Sequence, residues 1–126
     1  MKIMVVDDSG VQRKMIMKII QEAGFMNPVL EAANGQEAVQ ILGANFKDVG
    51  LILCDWNMPV MSGIDFIEGV GKVPQLAQIP IVMVTTEGTE AKIKEARMKY
   101  PKLVGYVSKP FTAEQLKTTI QPFLSV

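Results

Sequence analysis

The stretch Leu51-Ile52-Leu53-Cys54-Asp55-Trp56-Asn57-Met58-Pro59 passes from four apolar residues directly into a carboxylate and a turn. An uninterrupted apolar run that is bounded by turn residues is typical of a strand buried on both faces of a parallel sheet. Pro59 has no N–H to donate to a neighbouring strand, so the strand must end before it. Asp55 is therefore predicted to lie at the carboxyl end of a central strand, where open α/β sheets bind their ligands.

Four further apolar runs alternate with segments of helical periodicity along the chain. The predicted strands cover residues 3–6, 29–33, 51–54, 81–84 and 103–107. The predicted helices begin after the capping residues Ser9, Asn34 and Thr112, or cover residues 63–71 and 87–99. This alternation predicts the α/β class, with one doubly wound, five-stranded parallel sheet, helices on both faces and the flavodoxin-like strand order 2-1-3-4-5. We expect residues 1–126 to form a single domain.

The helices differ in how clearly their inward faces can be recognised. In the first helix, apolar residues at helical spacing predict a buried face made of Val11, Met15, Ile16, Ile19 and Ala23. Gln12 and Arg13 are assigned to its solvated surface. The helix at 87–99 has a thin apolar stripe among many charges, which is typical of a helix that is mostly solvated or covered by a partner.

Composition excludes several classes of function. Lys+Arg and Asp+Glu balance at 13 each, so the chain lacks the basic surplus that nucleic acid or an anionic membrane would require. No apolar stretch approaches the ~18 residues of a membrane span, and the first apolar run is too short for a signal peptide. We therefore expect a cytoplasmic protein. The absence of histidine excludes catalysis by histidine, and the single cysteine, Cys54, is expected to fill the core.

The predicted strand order brings several polar side chains to one crevice. The first and third strands are neighbours, so Asp7, Asp8 and Asp55 should converge, with Thr85 and Lys109 on the same rim. Three carboxylates repel one another, and a hard divalent cation such as Mg2+ offsets that repulsion. A lysine and a hydroxyl group suit phosphoryl oxygens. The sequence therefore predicts a site that takes a phosphoryl group onto a carboxylate.

These residues also resemble the motifs of a known family. Asp7-Asp8, the turn at 55–59 with Ser62-Gly63, Val84-Thr85-Thr86-Glu87 and Lys109-Pro110-Phe111 are similar to the motifs of response-regulator receiver domains. Among these, the stand-alone receivers of chemotaxis are the most similar. The resemblance spans essentially the whole chain, with the motifs in order and nearly in the same spacing.

The resemblance implies a role for each residue of the crevice. It implies that Asp55 is the phosphoacceptor and that Mg2+ is bound by the carboxylates of Asp8 and Asp55 and the backbone carbonyl of Asn57. Asp7 would order a water molecule bound to the metal. Lys109 would pair with the phosphoryl group and would precede a cis peptide bond, a form that is common only before proline.

The resemblance also implies roles for four residues in switching and in loss of the phosphoryl group. Thr85 would hydrogen-bond the phosphoryl group, and Tyr106 would then move inward behind it, so that the two act as the switch. Asn57 and Glu87, two positions beyond the acceptor and the threonine, would control the water that removes the phosphoryl group. Both are polar, so we expect comparatively rapid self-dephosphorylation.

The function that the resemblance implies is that of a signalling switch rather than an enzyme with a separate substrate. A histidine kinase of the chemotaxis type would phosphorylate Asp55, and the monomeric protein would then bind a flagellar motor switch protein or another output protein. The contact would use the fourth helix, fifth strand and fifth helix. The alternative is a phosphorelay intermediate that passes its phosphoryl group to a histidine phosphotransfer domain.

Two other classes agree less well with the sequence. In Mg2+-dependent phosphatases with an aspartyl nucleophile, the nucleophile ends the first strand in an Asp-x-Asp pattern, which Asp55-Trp56-Asn57 lacks. In a flavodoxin-like electron carrier, Asp7 and Asp8 would repel the FMN phosphate.

The chain departs from the family at three places. Thr86 is β-branched where a small residue is usual, the segment at 99–104 is longer, and Ser9-Gly10 replaces bulkier residues. We expect the longer segment to place apolar bulk, including Tyr100 and Pro101, at the edge of the output face.

Overall fold

The computed structural model describes residues 1–55, 61, 63–85 and 90–124, and for positions 63, 64, 85, 90 and 92 it describes the backbone alone. Five parallel strands form one sheet in the order β2-β1-β3-β4-β5. The strands are β1 Lys2–Val6, β2 Val29–Ala32, β3 Val49–Cys54, β4 Ile81–Thr85 and β5 Leu103–Ser108. The predicted fold class and strand order are therefore confirmed, and the strand bounds differ from the predicted ones by at most two residues.

Five helices connect the strands or follow them. They are α1 Gly10–Glu22, α2 Gly35–Asn45, α3 Gly63–Gly71, α4 Glu90–Lys99 and α5 Ala113–Ile120, with a short 3-10 turn at Gln121–Phe123. The predicted caps Ser9, Asn34 and Thr112 each accept the backbone N–H of the third residue that follows. α4 begins at Glu90, and the predicted start at position 87 lies outside the described residues. No described helix is long and apolar enough to cross a membrane.

Successive strand residues point to opposite sides of the sheet. Helices cover both sides, so both faces are buried. We call the cluster beneath α2 and α3 the first core layer and the cluster beneath α1 and α5 the second. The first layer includes Met4, Val6, Ile52, Cys54, Phe66, Ile81 and Leu103. The second layer includes Ile3, Val5, Ile16, Ile20, Leu53, Val84 and Leu116. Cys54 is a free, buried thiol, as expected.

The predicted inward face of α1 is partly wrong. Val11 is 79% exposed and Met15 is 40% exposed, whereas Ile16 and Ile20 are buried. A helix advances by about 100° per residue, so a stripe through positions 16 and 20 points well away from position 11. Both exposed residues are as apolar as the buried ones, which is why periodicity alone placed the face incorrectly.

Candidate functional site

The register of the sheet brings two carboxylates side by side. Val6 at the end of β1 pairs with Cys54 at the end of β3. The next residue of each strand continues the pattern, since Asp55 donates its N–H to the Val6 carbonyl over 2.9 Å. Among the side chains that the structure describes, Asp7 and Asp55 are the only charged ones that are buried.

Asp8 completes a group of three carboxylates with Asp7 and Asp55. One oxygen from each of the three lies within 4.8 Å of the others, and Asp8 itself is exposed. Carboxylate oxygens are the ligands that hard divalent cations prefer, and the mutual repulsion of three such groups favours a cation between them. The predicted convergence is therefore confirmed, and the cluster can hold a metal ion.

Asp7 is fixed by hydrogen bonds on every side. Its N–H donates to the Ala32 carbonyl of β2 over 3.0 Å. Its Oδ1 accepts the backbone N–H of Ser9 over 2.9 Å, and its Oδ2 accepts the Lys109 ammonium over 2.8 Å. Its carbonyl oxygen accepts Nη1 of Arg13 over 2.6 Å. The orientation of Asp7 is therefore set by β2, by α1 and its N-cap, and by the residue after β5.

Lys109 reaches the cluster from the end of β5. Its Nζ lies 2.8 Å from Asp7 Oδ2 and 3.4 Å from Asp55 Oδ2, and its side chain is 14% exposed. Burial lowers the pKa of Lys109, but its hydrogen bond to Asp7 and the charges of Asp55 and Asp7 outweigh that effect, so the pKa is raised. The ammonium thus stays protonated beside the carboxylates. The bond to Pro110 is cis, as expected.

Cys54 lies next to Asp55 without being chemically active. Burial raises the pKa of its thiol, and the nearby charges of Asp55 and Asp7 raise it further. Its Sγ donates to the backbone carbonyl of Asp55 over 3.2 Å. Because the thiolate is the reactive form, this cysteine is suited to the core and not to nucleophilic attack.

The structure describes the remaining predicted residues to different extents. The backbone of Thr85 pairs with Ser108, so Thr85 ends its strand beside Lys109, as its place in the sequence predicts. Tyr106 lies on β5 and is 37% exposed. Asn57, Thr86 and Glu87 lie outside the described residues.

Arg13 is a functional candidate that the sequence pattern did not indicate. It is not simply solvated, because its Nε lies 3.0 Å from Glu31 Oε1 while Nη1 contacts Asp7. Glu31 also pairs with Lys14, and that hydrogen bond is the main cause of a lowered pKa for Glu31. A positive charge near a helix N-terminus is unfavourable, so an arginine in that position was a sign of a specific partner. Gln12 is also not simply solvated, since its Oε1 is buried.

The longer segment at 99–104 lies beside α3 and not at the edge of the output face. Tyr100 packs against the first core layer, and with Pro101 it lines a cavity of about 500 Å³ beside the end of α3. The Lys99 ammonium lies 5.5 Å above the Tyr100 ring and 3.8 Å from Glu68 of α3. The two grooves that flank Tyr106 are lined by α4, β5 and α5. The expectation that Tyr100 and Pro101 add bulk to that face is therefore wrong.

Known proteins resemble the chain over nearly its full length. Chemotaxis protein CheY1 of Helicobacter pylori is 39% identical over 124 residues, covering 98% of this chain and 97% of the relative. Chemotaxis protein CheY of Pseudomonas aeruginosa is 39% identical over 121 residues, covering 96% and 94%. The structure of the chemotaxis response regulator CheY4 of Vibrio cholerae superposes with a TM-score of 0.84 at 36% identity, covering 98% of each chain.

The family itself follows from a match to its sequence model. Residues 3–121 match the response regulator receiver domain, and this range contains all three carboxylates of the cluster and Lys109. The chain belongs to the response regulator receiver domain family.

Proposed function

We propose that Asp55 accepts a phosphoryl group from a histidine kinase in a Mg2+-dependent reaction, and that phosphorylation switches the affinity of the protein for an output partner. The observation that carries this proposal is the position of Lys109, whose ammonium contacts Asp7 and Asp55 at 2.8 and 3.4 Å inside the carboxylate cluster. A buried cation at a carboxylate that ends a central strand is suited to the oxygens of an incoming phosphoryl group.

The residues that would hold Mg2+ are Asp8 and Asp55 by their carboxylates and Asn57 by its backbone carbonyl. Asp7 would act through a water molecule. This division is supported by the exposure of Asp8 and by the hydrogen bonds that both carboxylate oxygens of Asp7 already accept. When bound, Mg2+ supplies charge neutralisation at the phosphoryl oxygens.

In the transfer step this chain supplies the acceptor, and the kinase supplies the donor histidine. A carboxylate oxygen of Asp55 forms the new bond to phosphorus, and the bond from phosphorus to the imidazole nitrogen of the kinase histidine breaks. The electron pair of that bond stays on the imidazole. Lys109 exchanges its contact with Asp55 for one with a phosphoryl oxygen, which stabilises the charge that spreads over the transferring group.

The output would be a change in protein contacts. Thr85 would hydrogen-bond the phosphoryl group, and Tyr106 would move inward from its exposed position, so that phosphorylation shifts a two-state equilibrium. The surface that changes would be the α4–β5–α5 face around Tyr106, where one groove is lined by Ile93, Lys94, Arg97 and Met98.

Chemotaxis is the process that we propose for this switch. The support is that relatives covering nearly the whole chain are named chemotaxis proteins. The kinase would then be of the chemotaxis type, the output partner a component of the flagellar motor switch, and the location the cytoplasm.

The proposal is tested by incubating the protein with acetyl phosphate, with Mg2+ or with EDTA, and measuring intact mass. We expect one phosphoryl group on the parent protein with Mg2+, little with EDTA and none on Asp55→Asn. Asp65→Asn, which removes an exposed carboxylate from α3, is the matched control and should be labelled like the parent. Equal labelling of Asp55→Asn and the parent would contradict the proposal.

A further inference from the structure

Arg13 connects three elements beside the carboxylate cluster. Its backbone N–H donates to the Ser9 carbonyl in the first turn of α1 over 3.0 Å. Its guanidinium contacts Glu31 of β2 over 3.0 Å and the Asp7 carbonyl over 2.6 Å. The planar guanidinium can make both contacts at once because its N–H groups point in fixed, different directions.

The Asp7 carbonyl has a special place in the site. It belongs to the peptide group that joins Asp7 to Asp8, which are two of the three carboxylates in the cluster. A hydrogen bond to this carbonyl restricts the rotation of that peptide plane, and the plane determines where the Asp8 side chain leaves the backbone. Asp8 is exposed and no described side chain holds its carboxylate, so its direction depends on the backbone.

We propose that Arg13 is a positioning residue for the divalent cation site, holding the Asp7–Asp8 peptide so that the two carboxylates are directed to one cation. Glu31 orients the guanidinium, as residues behind metal ligands commonly do. This inference rests on the proposed function, because it assumes that the cluster binds Mg2+.

The direction in which Mg2+ affinity changes when Arg13 is replaced distinguishes a positioning role from a purely electrostatic one. A guanidinium close to a cation site repels the cation, so the loss of its charge alone would strengthen Mg2+ binding. The loss of positioning would weaken it. Lys14 provides the matched control, since its ammonium pairs with the same Glu31 over 2.9 Å and that contact does not involve Asp7.

The experiment measures Mg2+ affinity by titration calorimetry for the parent, Arg13→Gln, Arg13→Lys and Lys14→Gln. We expect Arg13→Gln to weaken Mg2+ binding about tenfold, the lower end of what altered residues behind metal ligands cause. Arg13→Lys should recover part of the affinity, because one ammonium group cannot contact both partners with the geometry of the guanidinium. Lys14→Gln should bind Mg2+ as well as the parent or slightly better.

Three outcomes would overturn the inference. If Arg13→Gln, shown to be folded by circular dichroism, binds Mg2+ as tightly as the parent or more tightly, Arg13 does not position the site. Equal losses of Mg2+ affinity in Arg13→Gln and Lys14→Gln would show that the loss comes from unpairing Glu31 and not from the contact of Arg13 with Asp7. If the parent itself binds no Mg2+, the proposed cation site fails and this inference fails with it. Should Arg13→Gln not fold, the comparison of Arg13→Lys with Lys14→Gln decides the question.

Discussion

The Lys109 ammonium lies 2.8 Å from Asp7 Oδ2, although the two residues are 102 positions apart in the sequence. The same ammonium is 3.4 Å from Asp55, so its shorter hydrogen bond goes to the carboxylate that we do not propose as the acceptor. Asp7 therefore holds Lys109 beside Asp55 before any phosphoryl group arrives. A group that is already in place needs little reorganisation when charge develops in the transition state.

The Lys109 contact should make stability depend on pH in the alkaline range. Because the folded state raises the pKa of Lys109 above its ordinary 10.5, the contact contributes its full stability below that value. The contribution is lost as the pH rises through the folded-state pKa. The difference in unfolding free energy between the parent and Lys109→Met should therefore be constant from neutral pH to 10.5 and shrink above 10.5, as measured by urea unfolding. At neutral pH we expect Lys109→Met to be less stable by about 1–3 kcal/mol. A difference that does not change through this range would contradict the prediction.

The same substitution should affect mainly stability at Asp7 and mainly Mg2+ affinity at Asp8. Asp7→Asn places an amide N–H₂ against either the Ser9 N–H or the Lys109 ammonium, so we expect a loss of about 1–3 kcal/mol of stability. Asp8→Asn changes an exposed group and should alter stability by less than about 0.5 kcal/mol. Mg2+ affinity, followed by the fluorescence of the single tryptophan, Trp56, should instead fall more in Asp8→Asn. A larger loss of Mg2+ affinity in Asp7→Asn would disprove the assigned roles.

Replacing Tyr100 should lower stability, whereas replacing Met98 should weaken partner binding. Tyr100 packs against the first core layer, so Tyr100→Ala should lower the unfolding free energy by about 1–3 kcal/mol. Met98 is exposed and lines a groove beside Tyr106, so Met98→Ala should leave stability within about 0.5 kcal/mol of the parent. We expect only Met98→Ala to weaken binding of the phosphorylated protein to a flagellar motor switch component, measured by fluorescence anisotropy. Loss of partner binding in a Tyr100→Ala protein of unchanged stability would place the longer segment in the output surface after all.

The lifetime of the phosphorylated state should depend on Asn57 and Glu87. Both are polar and are proposed to control the attacking water, so a long basic side chain at either position should hinder that water. We expect Asn57→Lys and Glu87→Lys to lose the phosphoryl group several-fold more slowly than the parent after acetyl phosphate is removed. Glu87→Gln keeps a polar group of similar size and is the control for the loss of charge. Unchanged lifetimes in both lysine variants would contradict the proposal that Asn57 and Glu87 control the attacking water.

The parts of the fold that the sequence predicts are those that depend on strand ends. An apolar run that stops at a carboxylate identifies both a buried strand and the residue at its edge. Asp7, Asp8 and Asp55 are therefore placed correctly once the strand order is known, and β1 and β3 are adjacent as expected. Lys109 follows by the same reasoning from the end of β5.

The parts that the sequence does not predict depend on side-chain direction. Val11 and Ile20 are both apolar residues of α1, and only the packing of the helix on the sheet decides that Ile20 is buried and Val11 exposed. The place of Arg13 near the helix N-terminus indicates that it has a partner, but the sequence does not identify which one, because Asp7 and Glu31 come from two other elements. Tyr100 lies in a segment long enough to reach either α3 or the output face, so the sequence does not decide between them. Its contact with the first core layer is seen only in the folded structure.

The central claim is that Asp55 carries the phosphoryl group, and the most direct measurement locates that group. An aspartyl phosphate is an acyl phosphate, which borohydride reduces to an alcohol, so the modified residue becomes homoserine and can be found by peptide mass spectrometry. After incubation with acetyl phosphate and Mg2+, we predict homoserine at position 55, much less of it when EDTA replaces Mg2+, and none in Asp55→Asn. Homoserine at position 7 or 8, or equal labelling at position 55 with EDTA, would contradict the claim.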